Sequence, residues 1–521
     1  MNKNILVGLI ARSSAWGQVL EQEGVPHAVI DLRVQSDVEA CSVLAINRTV
    51  ALAEVATVEN YLKHGGTVIG YASHLKGVAG IDCRSERLEY IVSDDHGPFG
   101  DIHLVDLALS GAIPTEANCL RTQDNIHAMF AGQLGGGHAV VLPFDVAEAI
   151  SDHRSASKNF YARWDRLPHE NVALISKGEV RYLVHRSLEY LHHRHGMPYA
   201  HLWFFPDSQK TLFAFRVDTD GGDENEIDAM YEIARAESIR MSWYLDVKSH
   251  ERWLPQFTAM PGQEISLHCY DHQTHPTYDA NMHNIAKAKR LMEAAGLVPG
   301  GFAAPYGAWN AGLARAIDQT GFEYSSEFSY AYDSFPLYPE ANNVRLNTLQ
   351  VPIHPICIGS MRQVGYSEER MAAYFRMVVE RKRQRHEPLF FYHHPIHGCW
   401  SVVSSLFREV RMKAVDNMTL LEYARWWKRR LLSRPHRISV EGNEIAIQPS
   451  DTHHEDVSVR ISLVDEKEVI VPLRPRIDLK NLVWEQRREP DPPPEDIRRI
   501  REFDPRAALG EMYNRFLRKR T

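Results

Sequence analysis

Leu212-Phe-Ala-Phe-Arg-Val-Asp-Thr-Asp220, followed by Gly221 and Gly222, reads as a buried strand that ends abruptly in charge. Leu212, Phe213, Ala214, Phe215 and Val217 form the apolar run. Strand alternation sets Asp218 and Asp220 on one side, about 7 Å apart. Two carboxylates at the end of a buried strand are costly unless a cation or a reaction uses them. In open α/β sheets and in barrels, sites sit at the carboxyl ends of strands. A strand-to-turn junction, with Asp and Gly as turn residues, accounts for the same residues. Other stretches have to decide between the two.

The second informative stretch is Ser266-Leu-His-Cys-Tyr-Asp-His-Gln-Thr-His-Pro276. His268 and His272 are four residues apart, a spacing that lets two imidazoles grip one ion on a helical turn or a similar loop. Catalytic zinc takes three protein ligands and keeps a position open. One aspartate with His268 and His272 meets that requirement. With 27 histidines in the chain a single His pair is weak evidence. The pair follows an apolar strand start, Ile265–Leu267, just as the aspartates follow theirs, and two charged clusters at strand ends of one domain are rarely an accident. Gly301-Phe-Ala-Ala-Pro-Tyr-Gly307 is a third stretch, and Leu389-Phe-Phe-Tyr-His-His-Pro395 a fourth, a buried strand ending in two histidines.

The order Asp-x-Asp, His-x3-His, Phe-x-x-Pro-Tyr-Gly and a strand ending in His-Pro resembles the polysaccharide deacetylase superfamily (NodB homology, carbohydrate esterase family 4). The branch with Arg-Val-Asp-x-Asp is the most similar. The match covers about residues 205–430. The resemblance implies that Asp220, His268 and His272 bind a divalent metal, zinc first, with nickel, cobalt, iron or manganese as alternatives. It implies that Asp218 is the general base, that the backbone N–H of Tyr306 helps hold the oxyanion, and that His394 or His393 protonates the leaving amine. The His-Pro pattern favours His394, while alternation leaves His393 open. His275 is either a group behind the ligands or a surface turn residue. Ala303 stands where the family has an arginine that grips the base; Arg216, on the same strand face as Asp218, or Arg345 are the possible substitutes. Asp333-Ser334 resembles the motif that positions the family's catalytic histidine.

The expected activity is removal of the acetyl group from an N-acetylated sugar, oligosaccharide or lipid-linked sugar. Alternatives are a C–N hydrolase for a non-sugar amide, and a non-catalytic scaffold. A net charge of −8 over 521 residues argues against a nucleic-acid partner. No run of about 18 apolar residues predicts a membrane-spanning helix. Six scattered cysteines and an N-terminus that reads as a first strand suit the cytoplasm. A homo-oligomer is compatible with the chain.

Upstream, strands over 4–10, 28–32, 42–46 and 67–71 alternate with helices over 14–23 and 51–64. This predicts a doubly wound parallel α/β domain over 1–200. Its layout resembles the class I glutamine amidotransferase-like fold, without a Cys in a Gly-x-Cys-x-Gly turn, so a docking or oligomerisation role is expected. Residues 99–130 read as irregular with β content, and Gly135-Gly-Gly137 as a turn. A distorted (β/α) barrel is expected over 205–434, and a small β appendage over 435–488. A proline-rich linker with a terminal helix (504–519) follows in 489–521. The basic run Arg425-Trp-Trp-Lys-Arg-Arg430 reads as a helix end with its tryptophans in the core.

Overall fold

The computed structural model describes residues 3–93, 97–162, 165–450, 452, 454–487, 505 and 509. The expected linker and terminal helix lie almost wholly outside the described residues. The chain forms two compact units. One draws on Met1–Asp152, Ile175–Ser208 and Lys428–Pro493; the other draws on His153–Leu174 and Gln209–Trp427.

The second unit is built on seven parallel strands. Their order is Leu349–Gln350, Tyr324–Ser325, Gly301–Phe302, Glu264–Cys269, Ser242–Asp246, Phe213–Asp218 and Leu389–His393. The first six in sequence lie side by side in order, and the last in sequence pairs with the first, Phe213 opposite Leu389. Among the described residues no pairing joins 349–350 to 389–393, so the sheet is an open (β/α) half-barrel. Helices between the strands turn apolar faces to the sheet. Glu224–Ala236 buries Ile227, Met230 and Ala234, and Trp400–Met412 buries Val403 and Phe407. Phe407 meets Phe215 edge to face at 4.9 Å. Because all seven strands run the same way, their carboxyl ends share one rim.

Residues 153–174 were expected in the N-terminal domain but belong to this unit. Their strand Glu170–Ala173 is tied to it by Ala173 N–H donating to Phe328 O (3.0 Å) and Ser329 Oγ donating to Asn171 O (2.9 Å).

The first unit holds a nine-stranded sheet. Five strands are parallel: His27–Val29, Val7–Leu9, Val43–Ile46, Thr67–Tyr71 and Gly137–Leu142. The doubly wound expectation describes only these. His127–Leu134, Cys119–Thr122, Cys83–Val92 and Leu104–Pro114 continue the sheet antiparallel. Part of the stretch read as irregular is therefore regular strand, and Cys119–Thr122 meets His127–Leu134 through a turn too short for a crossover. The Gly135-Gly-Gly137 run is one such turn. At Gly137 a Cβ would lie 1.9 Å from Gly66 O, so only glycine allows that approach.

The segment 435–488 is not a separate appendage. Arg437–Glu441 pairs with Lys3–Ile5, and Ser458–Ser462 pairs with Tyr199–Leu202. The stretch read as one strand over 4–10 splits at Leu6 to serve both sheets. Arg430 is buried, with Nε donating to Trp203 O (2.6 Å) and Nη2 to Leu202 O (2.9 Å). Trp426 and Trp427 are buried as expected.

Candidate active site

The strand Phe213–Asp218 ends one residue before Thr219, which locks onto the neighbouring strand. Thr219 N–H and Oγ donate to Tyr244 O (3.1 and 3.2 Å), and Oγ accepts from Asp246 N–H (3.0 Å). Asp220 then turns away in the left-handed region with φ 32°. Simple alternation therefore does not describe the pair. Asp218 is strand and Asp220 is turn, and the turn swings the second carboxylate across the rim.

There Asp220 Oδ1 lies 3.1 Å from His268 Nε2 and 3.1 Å from His272 Nε2, and the two Nε2 atoms are 3.1 Å apart. His268 is the last residue but one of the strand Glu264–Cys269, and His272 follows in the loop. Asn284 holds that loop by accepting from Tyr270 and Asp271 N–H (3.0 and 2.9 Å). His268 Nδ1–H donates to Ala303 O (2.6 Å). A carbonyl can only accept, so Nε2 of a neutral His268 carries a lone pair toward Asp220 and His272. A carboxylate oxygen and two imidazole nitrogens facing one another, with the outer nitrogen of His268 tied to a carbonyl, is the donor set of a metal site. Nitrogen and oxygen ligands about 2.0–2.1 Å from a tetrahedral zinc lie roughly 3.3 Å apart, so the spacing fits. Burial pushes the Asp220 carboxyl up, but His394, His268 and His272 outweigh it and hold it well below the usual carboxylate range. Side-chain exposures of 22% for Asp220 and 27% for His272 leave the cluster open on one side.

Asp218 lies beneath, buried. Arg216 Nε and Nη2 donate to its two oxygens (2.6 and 2.5 Å), and Nη1 donates to Ser326 O (2.6 Å). The guanidinium lies against the rings of Tyr244 and Tyr392, 5.2 and 5.6 Å from their centroids. Of the two substitutes expected for an arginine at Ala303, Arg216 makes the fork, from two residues upstream of Asp218 on the same strand. Arg345 instead packs over Tyr338, 4.7 Å away.

Of the two strand-end histidines, only His394 reaches the aspartates. Its Nε2 lies 3.2 Å from Asp220 Oδ2 and 3.9 Å from Asp218 Oδ2. Burial lowers His394, but the facing Cys357 and Asp220 outweigh it and push it up to about 10. His393 points the other way, and its Nε2–H donates to Gly398 O (2.7 Å). Tyr306 sits in a left-handed turn (φ 59°), with its ring 4.9 Å from that of His272. His275 is held through its backbone, with N–H donating to Asn281 Oδ1 (2.9 Å). Asp333 binds His354 Nδ1 (3.0 Å) and Lys382 Nζ (2.8 Å), so the expected histidine-positioning motif serves a different imidazole. The group against His394 Nδ1 is Cys357, at 3.2 Å. No local pattern marks it, because its partner lies 37 residues further along the chain.

No protein-family model matches the chain, and no curated protein matches it. Solved structures do. One, from Mycobacterium smegmatis, is described as a polysaccharide deacetylase; it is 15% identical, with 43% of this chain and 92% of that one covered and a TM-score of 0.37. A CE4 family pseudoenzyme from Bacillus anthracis is 15% identical over 42% of this chain and 66% of its own, at a TM-score of 0.31. An allantoinase is 15% identical over 43% and 92%, at 0.36. At such identities the chemistry has to be carried by the residues of the site.

Proposed function

We propose that the second unit is a divalent-metal-dependent hydrolase that removes the acetyl group from an N-acetylated sugar, in the cytoplasm and in the assembly of a polysaccharide or envelope precursor. The observation that carries this reading is the convergence of Asp220, His268 and His272 within 3.1 Å of one another, beside a forked Arg216–Asp218 pair. Asp220, His268 and His272 would hold the ion, zinc by preference for this nitrogen-rich set. When bound it supplies Lewis acidity at the amide and the water.

The chain's own groups then divide the proton traffic. Asp218, aimed by Arg216, takes the proton of the attacking water as the C–O bond forms. The Tyr306 N–H donates to the developing oxyanion. As the C–N bond breaks, His394 Nε2 delivers a proton to the departing amine, leaving acetate and the free amino sugar. Cys357 at Nδ1 fixes the tilt of the His394 ring. His393 has no part in these transfers, since its Nε2 is spent on Gly398 O.

Arg216 also bears on the scaffold alternative, because the base is gripped although Ala303 is not arginine. The first unit is read as an amidotransferase-like docking domain without a nucleophile. No helix among the described residues is long and apolar enough to cross a membrane.

The test is metal analysis of the purified chain together with acetate release from chito-oligosaccharides, and hydrolysis of a cyclic ureide as the non-sugar amide. Metal-dependent acetate release, with both metal and activity lost in His268→Ala, is expected. Unchanged metal content in that variant overturns the assignment. Turnover of the ureide alone moves the substrate to the non-sugar amides.

A further inference from the structure

Behind His394, on the ring edge opposite Asp220, three imidazoles converge on one sulfur. Cys357 Sγ lies 3.7 Å from His393 Nδ1, 3.2 Å from His394 Nδ1 and 3.8 Å from His397 Nδ1. The sulfur, His393 and His397 present ligand atoms within 4.8 Å of one another, and Cys357 and His393 are buried. The thiol has one proton to donate, and its sulfur accepts in turn from a facing N–H. His393 Nε2–H is committed to Gly398 O at 2.7 Å, so Nδ1 of the neutral ring turns a lone pair on the sulfur. That is the arrangement in which a metal-bound imidazole is held, with the outer N–H on a carbonyl and the inner nitrogen facing the ion. A sulfur about 2.3 Å and a nitrogen about 2.0 Å from a tetrahedral zinc are roughly 3.5 Å apart, close to the two longer contacts.

The backbone makes room for the third ring. A Cβ on Gly359 would lie 2.2 Å from His397 Cβ and 2.5 Å from its Nδ1, so His397 reaches the sulfur only because residue 359 is glycine. Gly398, at φ 62°, then turns the chain so that its carbonyl meets His393.

We infer that Cys357 Sγ, His393 Nδ1 and His397 Nδ1 form a second cation site, selective for a borderline-soft ion of the zinc class, directly behind His394. One thiolate with two imidazoles favours such ions over magnesium or calcium. Three protein ligands leave a position open. This site is independent of the Asp220 centre in every ligand, although both border His394.

The experiment uses the full chain, stripped with chelator, kept reduced and titrated with cobalt(II). The expected result is two equivalents bound and a near-ultraviolet thiolate-to-cobalt absorption. Cys357→Ser and His397→Ala each lose that absorption and one equivalent. His397 is partly exposed, so its variant keeps the test alive if Cys357→Ser fails to fold. His268→Ala loses one equivalent and keeps the absorption. Wild-type binding without the absorption, or an absorption that survives both variants, overturns the inference. If only the absorbing equivalent binds, and His268→Ala binds it as the wild type does, the second site stands and the Asp220 metal fails.

Discussion

Two carboxylates in this molecule, one fully buried and one partly buried, each meet nitrogen-bearing side chains, and they do so to opposite ends. In the first unit Glu23 accepts from Arg181 Nη1 and, at 2.7 Å, from His185 Nδ1. Both contacts run from N–H to oxygen, and the Glu23 side chain is 0% exposed. Burial raises Glu23, yet His185 and Arg181 outweigh it and bring it down to about 2. In the second unit Asp220 meets three Nε2 atoms, those of His268, His272 and His394, and that of His268 has no hydrogen to give in the neutral ring, because its Nδ1–H is on Ala303 O. Burying a charge is therefore not the mark of a site here. The mark is an imidazole lone pair turned on a carboxylate, in a cluster left open on one side. A closed ion pair is used up within the fold; ligand atoms that face one another and stay open on one side can take up a cation.

The comparison can be broken most sharply at the chemical end. Asp218→Asn should lower kcat for acetate release by about 10²- to 10⁴-fold, the usual worth of a general base. Single-turnover rates at unchanged metal content check this, and a variant within threefold of wild type removes Asp218 from the proton path. Glu23→Gln should do the reverse. Losing one partner of a buried pair costs about 3–5 kcal/mol of stability, read by urea unfolding of the first unit, with acetate release per folded molecule unchanged.

A pH titration sharpens the same contrast. Burial holds His192 at about 4 instead of its ordinary 6.5, with Ser42 Oγ at its Nε2 (2.8 Å) and Leu188 O at its Nδ1 (2.7 Å). The folded state favours the neutral ring, so the contribution is whole above 6.5, where both states are neutral. As pH falls from 6.5 to about 4 the unfolded chain takes up the proton first, and stability declines by about 3 kcal/mol. Denaturant midpoints across that range should show this slope, and His192→Asn should flatten it. Next, Arg216→Lys keeps the charge but loses the fork on Asp218. Loss of one charge-assisted hydrogen bond costs about 1.5–3 kcal/mol, and kcat should fall with it; a variant equal to wild type in both denies Arg216 its role. The smallest effect belongs to the half-exposed Arg429–Asp456 pair at 2.7 Å. Arg429→Ala should change stability by about 0–1 kcal/mol; a larger loss would mean that exposed pairs matter here as buried ones do.

Much of the architecture was legible in the chain because it rests on local pattern. The helices Ser14–Glu23 and Glu224–Ala236 begin at Ser13 and Asp223 caps, and Gly24, at φ 72°, stops the first. The strands Phe213–Asp218 and Leu389–His393 announce themselves as apolar runs ending in polar residues. Partnership between distant segments carries no such signal. Nothing near Ser458–Ser462 says that it pairs with Tyr199–Leu202, so residues 435–488 read as an appendage. The strands within 99–130 lack the strict alternation that marks a half-buried strand, and read as irregular with β content.

The sequence by itself determined which side chains gather at, or just beyond, strand ends: Asp218, Asp220, His268, His272 and the His393-His394 pair. Residue type and one-dimensional spacing suffice for that. Only the tertiary structure decided that Arg216 supplies the grip absent at Ala303, that His394 and not His393 faces the aspartates, and that Asp333 serves His354. It alone joined Cys357 to histidines 36 to 40 residues away. Those outcomes depend on the angle at which each chain segment leaves the common rim, a property of backbone torsion and packing that no spacing encodes.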